Sequence, residues 1–405
     1  MSDYPSDWEE TTFGSVFTQR KEAGFPNEEL LAVTSSMGIV RRDSLQRRDT
    51  SNEDKSKYLL VEKGDIAYNT MRMWQGVSGV SRYRGIVSPA YTICTPTEGI
   101  DKDFAGYLLK DPETISIFRQ RSQGLVSDTW NLKYESFAQI QCTIPPLPEQ
   151  KKIAEILSGI DRCISAFTSQ VNKLEIAKSA LSSELISGLS ESRKKSAYGL
   201  IPCHWSESTL GEVLGTANLQ TGPFGSQLHA HEYTAEGIPV VMPQDMKNCV
   251  VVTSKIARIP PERAESLGKH KVVPGDILFS RRGDIGRHAV VGINESGWIC
   301  GTGCLRARTE EKINAFFLSE LLSHRFALEW LNANAVGQIM LNLNTGILSE
   351  LPIIVPPMKE QEKIADSLGS INHMTEQISN QIALAQKLRI AISTDLLSGR
   401  KRVSI

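Results

Sequence analysis

A tandem repeat is the feature of this 405-residue sequence that most constrains its fold. The segment Pro145-Pro-Leu-Pro-Glu-Gln-Lys-Lys-Ile-Ala154 returns 211 residues later as Pro356-Pro-Met-Lys-Glu-Gln-Glu-Lys-Ile-Ala365. Near the start of the halves the spacing is 197, as between Trp8 and Trp205, so the second half holds 14 extra residues before Gly275. Further matches keep the 211-residue spacing and the same order: Gly64-Asp65 with Gly275-Asp276, and Asn131-Leu132 with Asn342-Leu343. The chain is therefore predicted to contain two copies of one structural unit.

Each half is predicted to be a mixed segment followed by a long helix, which gives an α+β fold class. The mixed segments contain β-rich runs such as Ile238-Pro-Val-Val-Met242, punctuated by turns such as Lys63-Gly-Asp65. The predicted domains are residues 1–147, a spacer helix at 148–190, residues 198–357, and a second spacer helix at 358–400.

Both long helices carry a heptad seam, because apolar or small residues recur at alternating steps of four and three. The first seam is Ile153, Leu157, Ile160, Ile164, Phe167, Val171, Leu174, Leu181 and Leu185, and the second is Ile364, Leu368, Ile371, Thr375, Ile378, Ile382, Ala385, Ile392 and Leu396. Lys178 and Arg389 interrupt the seams at equivalent positions, and each is predicted to face helix carbonyls or an acidic partner.

The connectivity predicts how the two helices pair. The second mixed segment follows the end of the first helix and feeds the start of the second, so helices that lie side by side must be antiparallel. This arrangement predicts a pseudo-two-fold molecule with a mixed domain at each end. The chain end near Gly399 is expected to return to the first domain.

Composition narrows the class of protein without naming a partner. Lys and Arg total 45 against 46 Asp and Glu, so nucleic-acid binding has to rest on local patches and not on net charge. No run approaches the ~18 apolar residues of a membrane-spanning helix. Seven scattered cysteines and an N-terminus without an apolar signal core predict a reduced, cytoplasmic protein that is not associated with membranes.

The repeated Pro-Pro-x-x-Glu-Gln-x-Lys-Ile-Ala motif opening a long helix resembles the specificity subunit of type I restriction-modification enzymes. Three other stretches match the same family: Thr221-Gly-Pro-Phe-Gly-Ser-Gln-Leu228, the run from Val273 to Arg287, and Pro202-x-x-Trp205 before Thr209-Leu-Gly211. The first domain departs from this pattern, since Asn69-Thr-Met-Arg-Met-Trp74 stands where the second has Ser280-Arg-Arg-Gly-Asp-Ile285.

The resemblance implies a function in which this chain itself catalyses nothing. Each mixed segment would be a target recognition domain reading one half of a bipartite double-stranded DNA site, and the helices would set the spacing. The implied partners are two methylating subunits, which would use S-adenosylmethionine, and restriction subunits that translocate and cut DNA. No cofactor or metal is expected in this chain.

Two basic stretches lie at matching places in the halves and agree with DNA contact. Residues 41–84 hold ten Lys and Arg against six Asp and Glu, and residues 255–290 hold eight against four. Arg can read guanine, and Gln or Asn adenine. Trp74 could pack on DNA or anchor the core. The predicted DNA contacts are Arg72, Trp74, Gln75, Arg82, Arg84, Ser226, Gln227, Arg281, Arg282, Arg287 and Gln338.

Partner subunits are expected at the helix starts, at Glu149, Gln150, Glu360 and Gln361, and on the outer helix faces. For the two glutamates the alternative is N-terminal capping, where a carboxylate complements the helix dipole.

Two other classes of protein stay open as alternatives. An N6-adenine methyltransferase is suggested by Ser88-Pro-Ala-Tyr91, although no Gly-rich cofactor loop accompanies it. A coiled-coil scaffold is the other, although two divergent globular domains argue against it. A zinc site from His229, His231, Cys300 and Cys304 is weaker, because the two pairs are about 70 residues apart in sequence.

Overall fold

The computed structural model describes residues 4–35, 37–45, 52, 54–124, 130–187, 192–225, 227–337 and 341–404. The chain divides into two compact units. Unit 1 is Met1–Ser169 with Ser379–Ile405, and unit 2 is Gln170–Ile378. Each unit therefore combines one mixed segment with parts of both long helices.

Unit 1 is built on a four-stranded antiparallel sheet with the strand order β2-β9-β6-β7. Its strands are β1 (Glu9–Thr12), β2 (Phe17–Arg20), β3 (Leu31–Thr34), β4 (Gly38–Arg41), β5 (Leu59–Val61), β6 (Ile66–Asn69), β7 (Ser78–Val80), β8 (Gly85–Val87), β9 (Tyr91–Pro96) and β10 (Gln141–Ile144). Its helices are α1 (Phe13–Val16), α2 (Lys102–Leu108), α3 (Pro112–Arg121), α4 (Tyr134–Ala138) and the start of α5 (Leu147–Ser187).

Unit 2 repeats this plan with a four-stranded antiparallel sheet of order β14-β22-β19-β20. Its strands are β11 (Arg193–Ser196), β12 (Gly199–Pro202), β13 (Ser206–Thr209), β14 (Leu219–Thr221), β15 (Ile238–Val241), β16 (Met246–Lys247), β17 (Val250–Val251), β18 (Ala257–Ile259), β19 (Ile277–Ser280), β20 (His288–Val290), β21 (Ile299–Cys300), β22 (Cys304–Ala307) and β23 (Pro352–Val355). Its helices are α6 (Leu210–Leu214), α7 (Pro261–Ser266), α8 (Ala315–Ser323), α9 (Arg325–Asn334), α10 (Thr345–Ser349) and the start of α11 (Met358–Leu397).

Strand pairing confirms the repeat and locates the 14 extra residues. Glu9 pairs with Ile144 and Ser206 with Val355, which reproduces the spacings of 197 and 211. Phe17 pairs with Pro96 and Leu219 with Ala307, so the spacing has grown to 202 at β2 and β14. Five extra residues therefore precede β14, and nine lie between β14 and β19. Unit 2 also holds a three-stranded sheet of order β18-β15-β21 and a β16–β17 hairpin in this region.

Both long helices show the predicted seam in their burial pattern. From Ile160 to Leu185 the half-buried residues of α5 are spaced by three or four, with mostly exposed residues between them, and α11 repeats this from Ile371 to Ile392. In unit 1, Ile153 and Leu157 near the start of α5 share a core with the end of α11. In unit 2, Ile186 near the end of α5 shares a core with the start of α11. Within each unit, therefore, the two helix segments run antiparallel, and the α+β fold class is confirmed.

The two cations that interrupt the seams bind acidic partners, as predicted. Arg389 Nε lies 2.5 Å from Asp161 Oδ1 in unit 1, with its guanidinium over the ring of Tyr107. In unit 2, Lys178 Nζ lies 3.1 Å from an oxygen of Glu320 on α8, and Asn372 donates to the same carboxylate.

The C-terminal segment returns to the first domain, as the sequence predicted. Arg402 donates to the buried carboxylate of Glu149 and, through two nitrogens, to that of Asp7. A Cβ on Gly399 would lie 2.4 Å from the ring of Pro5, and this glycine has a φ of +71°. The end of α11 packs directly against the N-terminal segment at this point. Only glycine therefore fits the position without strain.

Candidate nucleic-acid interface

One surface loop occupies the same position in both units. Loop A (residues 70–77) connects β6 to β7, and loop B (residues 281–287) connects β19 to β20. The backbone N–H of Leu132 donates to the carbonyl of Thr70 at 2.8 Å, and that of Leu343 donates to the carbonyl of Arg281 at 2.8 Å. The two donors are 211 residues apart in sequence, and so are the two acceptors. The same hydrogen bond therefore holds loop A in unit 1 and loop B in unit 2.

Each donor, Leu132 or Leu343, directly follows an asparagine that pairs with an earlier residue in a short β-bridge. In unit 1 Gln123 pairs with Asn131, and in unit 2 Val336 pairs with Asn342. Residues 125–129 and 338–340, between these pairs, lie outside the described residues, and the predicted DNA contact Gln338 is among them. The repeated Asn-Leu pair in the sequence thus marks the point where this segment meets loop A or loop B.

Loop A presents an exposed arginine and a half-buried tryptophan. Arg72 is exposed, and its Nη1 donates to Gln75 Oε1 at 3.3 Å. Trp74 is half-buried, donates from Nε1 to the carbonyl of Met71, and packs edge-on against Trp130 with ring centroids 5.4 Å apart. Arg72, Gln75 and Trp74 therefore lie together, and the indole both anchors the loop and borders the surface.

Loop B presents three arginines in different states. Arg281 lies over the ring of Phe224, 5.6 Å from its centroid, and Arg282 is exposed. Arg287 binds Asp284 through Nε and Nη2, at 2.9 and 2.7 Å, and donates to the carbonyl of Pro243. Three arginines against one aspartate leave the loop with a net positive charge, which suits an anionic partner.

The remaining predicted DNA contacts fall into three situations. Arg82 is exposed between β7 and β8. Arg84 is bound to the carboxylates of Glu28 and Glu62, so a phosphate would have to displace both. Gln227 accepts a hydrogen bond from the backbone of Phe224, and Ser226 lies outside the described residues.

The glutamines at the helix starts have structural roles inside each unit. Gln150 accepts from the backbone N–H of Asp101, the N-cap of α2, and donates to the carbonyls of Gly99 and Pro145. Gln361 accepts from the N–H of Asn314, the N-cap of α8, and donates to the carbonyl of Pro356.

For three of the four residues predicted to contact partner subunits, burial argues against that role. Glu149, Gln150 and Gln361 are each 1% exposed, so a partner cannot reach them. Glu149 is bound to Arg402, and Glu360 accepts from Trp205 Nε1 and bonds to His204, both at 2.9 Å. These contacts dock the helix starts onto the mixed segments, and Glu360, whose side chain is 42% exposed, stays a predicted partner contact.

Sequence reasoning missed three residues of this surface. Arg119 lies over the ring of Trp130 in unit 1, and Phe224 supports Arg281 in unit 2. Trp130 directly precedes the repeated Asn-Leu pair, and Phe224 lies in the Gly-Pro-Phe-Gly segment, so both were adjacent to recognised signals. Trp130 meets Trp74 across 56 positions and Phe224 meets Arg281 across 57, which no local pattern reports, whereas Arg119 and Trp130 are 11 positions apart.

Across the described ranges, no group of three or more His, Cys, Asp or Glu side chains is arranged to hold a metal ion. Cys300 and Cys304 are buried, and His229 and His231 stack on each other at 5.4 Å. Asp276 and Asp284 serve separate arginines, Arg308 and Arg287. In the part of the chain that the structure describes, no helix has the length and hydropathy to span a membrane.

Known proteins resemble this chain over nearly its whole length. The family model described as "Type I restriction modification DNA specificity domain" matches twice, at residues 5–175 and 202–384. The type I restriction enzyme MjaVIII specificity subunit of Methanocaldococcus jannaschii is 25% identical and covers 98% of this chain and 94% of its own length. The crystal structure of the type I restriction-modification S subunit from M. genitalium covers 100% of both chains with a TM-score of 0.63 and 15% identity.

A second solved chain agrees on the fold. It comes from work on complex assembly and conformational transition of the type I R-M system, and covers 98% of this chain at a TM-score of 0.50 and 16% identity. The two family matches fall on the two halves of the repeat and together cover most of the 405 residues. The chain belongs to the type I restriction-modification DNA specificity family, whose members are DNA-recognition subunits.

Proposed function

We propose that this chain reads a bipartite, asymmetric double-stranded DNA site, one half with each recognition domain. Loop A and its neighbours contact one half-site, and loop B and its neighbours contact the other. The chain acts as a cytoplasmic, non-catalytic subunit that carries two methylating subunits and the restriction subunits. S-adenosylmethionine belongs to the methylating partners.

One observation carries this proposal. The same backbone hydrogen bond fixes loops A and B, but the side chains that the two loops display differ at almost every position. A repeated frame with different surface chemistry is what two half-sites of different sequence require. A scaffold without a DNA target would have no such need.

The chemistry of the loops suits a nucleic acid. The exposed arginines Arg72 and Arg282 can bind phosphates or the guanine edge, and Gln75 can bind adenine. Trp74 and Trp130 give the loop A surface an aromatic floor on which a sugar or base can pack.

Partner subunits are proposed to bind the outer helix faces. In unit 1, Leu384 and Leu388 lie one turn apart on α11, outside the seam, and are 68% and 52% exposed. Exposed leucines at this spacing suit a helix-binding partner. A Leu384→Asp/Leu388→Asp variant should keep its fold and lose copurification with one methylating subunit, whereas retention of both would exclude this face.

The methyltransferase alternative receives less support. A Gly-rich cofactor loop joins a strand to a helix in a parallel sheet, whereas the central sheet of each unit here is antiparallel. Ser88-Pro-Ala-Tyr91 forms a turn at the start of β9, with the N–H of Tyr91 bound to the carbonyl of Ser88.

Salt dependence of binding tests the DNA contacts of loop B. An Arg281→Ala/Arg282→Ala/Arg287→Ala variant should bind DNA more weakly at all sequences, and the slope of log K against log salt should fall by about one unit for each lost phosphate contact. A Lys151→Ala/Lys359→Ala/Lys363→Ala variant removes the same charge from exposed helix positions and should keep the slope. Equal slopes in the wild type and the loop B variant would contradict the assignment.

Methylation mapping tests the division between the halves. In cells that express the methylating subunits, an Arg72→Ala/Gln75→Ala variant should relax one half of the methylated motif and leave the other unchanged. The loop B variant should do the reverse. A variant that relaxed both halves equally would contradict the assignment of one half-site to each domain.

A further inference from the structure

A cavity of about 480 Å³ opens on the surface of unit 1, between the β1–β10 pair, the start of α3 and the end of α11. Its apolar lining includes Phe13 and Leu397, and three carboxylates border it, those of Glu10, Asp111 and Glu113. Among the described residues that line it there is no Lys, Arg or His, and none belongs to loop A. The cavity is therefore an acidic feature separate from the candidate DNA contacts.

The helix start that borders the cavity has an equivalent in unit 2. Asp111 is the N-cap of α3 and accepts a hydrogen bond from the backbone N–H of Glu113 at 3.0 Å. His324 is the N-cap of α9 and accepts one from the backbone N–H of Phe326 at 3.2 Å. Asp111 therefore has the place of His324, and Glu113 that of Phe326.

The strand and the spacer helix beside these caps are equivalent as well. Gln141 begins β10 and Pro352 begins β23, at the same register in the two strand pairs. Leu397 and Ile186 are 211 residues apart in sequence, and each is buried in the core of its unit. The cavity of unit 1 therefore has a counterpart in unit 2 with the same framework.

In unit 2 a tyrosine side chain fills the counterpart. Tyr198, in the turn between β11 and β12, is 8% exposed. Its ring centroid lies 4.7 Å from that of Phe326 and 5.3 Å from that of His324. Its hydroxyl donates to the carbonyl of Pro352 at 3.0 Å. The unit 1 equivalents of these three partners all line the open cavity, as Glu113, Asp111 and Gln141.

Unit 1 offers a different electrostatic environment for the same ring position. Where unit 2 has His324 and Phe326, unit 1 has Asp111 and Glu113. Burial, followed by the negative charges of Glu113 and Asp111, raises the pKa of the neighbouring Tyr4. These charges favour a cation beside any ring that enters the cavity. Tyr4 itself stacks on Trp8, with ring centroids 5.6 Å apart.

We propose that the cavity of unit 1 is a docking site for a segment of a partner protein that presents an aromatic side chain next to lysine or arginine. The ring takes the position that Tyr198 takes in unit 2, and the cation pairs with Asp111 and Glu113. Tyrosine fits best, because its hydroxyl can donate to the carbonyl of Gln141 as Tyr198 donates to that of Pro352.

The occupant is a different protein and not a second copy of this chain. The chain's own Tyr198 is buried in unit 2, and a second copy could supply it only by giving up its contacts there. An aromatic side chain seated in a pocket is a common anchor of protein–protein interfaces. The proposal depends neither on loops A and B nor on DNA binding.

A synthetic peptide tests whether the cavity takes such a segment. The probe has the sequence Arg193-Lys-Lys-Ser-Ala-Tyr-Gly-Leu-Ile-Pro202, which combines the tyrosine of the filled counterpart with three cations. Fluorescein-labelled probe, titrated with the full-length chain and followed by anisotropy, should bind saturably. The same peptide with Tyr198→Ala should bind about tenfold more weakly. Absence of saturable binding, or equal binding of the two peptides, would overturn the proposal.

Charge-neutral variants of the full-length chain test the location. Asp111→Asn keeps a good N-cap for α3, and together with Glu113→Gln it removes two charges from the cavity. This double variant should bind the probe about tenfold more weakly at low salt and lose most of the salt dependence of binding. Asp43→Asn/Glu98→Gln is the matched control, because it removes the same charge from exposed positions outside the lining. Equal weakening by both double variants would show that the probe binds by overall charge and not in the cavity.

A chain that lacks residues 1–3 tests the other possible occupant, the N-terminal segment that precedes Tyr4. Under the proposal, this chain and the full-length chain bind the probe with the same affinity. If only the shortened chain bound the probe, the N-terminal segment would be the natural occupant, and a partner site at this cavity would be excluded.

Discussion

His270 makes the stability of unit 2 depend on pH. The side chain is 3% exposed, and burial, followed by the charges of Lys269 and Arg306, lowers its pKa to about 4. In the unfolded chain a histidine titrates near 6.5. Between these values the unfolded state binds a proton that the folded state does not, so stability falls as pH falls from about 6.5 to about 4 and is fully present above 6.5.

We predict that lowering the pH from 7 to 5 removes about 2 kcal/mol of stability through this residue. A His270→Leu variant places an apolar side chain that does not titrate in the same space. It should lose less stability between pH 7 and pH 5. Denaturant unfolding of both proteins at the two pH values measures the difference. Equal pH dependence in wild type and variant would show that another group is responsible.

Single residues were the part of the site that sequence predicted least well. The arginine-rich run of loop B was recognisable because its charges are consecutive. Arg84 was assigned to DNA from the same kind of signal, although two distant glutamates bind it. Charge runs report composition, whereas the partner of each charge is set by tertiary packing, and that information is not local.

The docking of each spacer helix on its domain depends on one buried glutamine. Gln150 satisfies the backbone N–H of Asp101 and the carbonyls of Gly99 and Pro145, so its loss leaves three buried polar groups unpaired. A Gln150→Leu variant should lose about 2–3 kcal/mol of unfolding free energy. Gln361→Leu, which removes two such bonds, should lose somewhat less.

Lys151→Ala is the matched control for this prediction, because the residue is adjacent and exposed. It should change stability by less than about 0.5 kcal/mol. Copurification with the methylating subunits separates the two roles considered for these glutamines. If the leucine variants kept the wild-type unfolding free energy but lost the methylating subunits, the glutamines would belong to the partner interface, although their burial argues against it.

The ion pairs at the two seam breaks are predicted to differ in coupling energy between unit 1 and unit 2. The Lys178–Glu320 side chains are 20% and 10% exposed, whereas those of Arg389 and Asp161 are 32% and 40% exposed. Less solvent makes a charge pair interact more strongly. Double-mutant cycles with Lys178→Met/Glu320→Gln and Arg389→Met/Asp161→Asn should give the larger coupling energy in unit 2. The reverse order would show that packing of the methylene stems outweighs the charges.

Elements were predicted better than side chains because periodicity survives in sequence. The heptad seams predicted both helices, and α5 and α11 begin at Leu147 and Met358, within one residue of the predicted starts. The ion pairs at the breaks in the seams could be predicted only in part. Lys178 and Arg389 were visible as breaks, but Asp161 lies on the spacer helix α5 and Glu320 on helix α8 of the mixed segment, so the repeat gave no common rule for their partners.

At the scale of the whole molecule, the repeat means that one half can stand in for the other. In unit 1, residues 379–397 of α11 pack against the start of α5. The equivalent residues of α5 are 168–186, with Leu181, Leu185 and Ile186 in place of Ile392, Leu396 and Leu397. Lys178 takes the place of Arg389, so a cation would still face Asp161.

A fragment of residues 1–196 is therefore predicted to form an antiparallel dimer through its α5 helices, with one recognition domain at each end. With the methylating subunits it should modify a palindromic site built from the first half-site and its inverted repeat. Sedimentation and methylation mapping measure the two outcomes. A monomeric fragment, or an unchanged asymmetric motif, would contradict the two-fold relation of the halves.

The weak point of this dimer is the carboxylate pair that Arg402 neutralises. By the 211-residue spacing, Glu191, which lies outside the described residues, has the sequence position of Arg402, so the fragment lacks the cation that binds Asp7 and the buried Glu149. A Glu191→Arg fragment should then dimerise more tightly than the unmodified one, by about tenfold or 1.4 kcal/mol. Lys195→Glu changes the charge by the same amount in the opposite sense at a neighbouring position, and serves as the control. A tighter dimer only in the Glu191→Arg fragment supports the equivalence of the two chain segments, and equal affinities in all three fragments would contradict it.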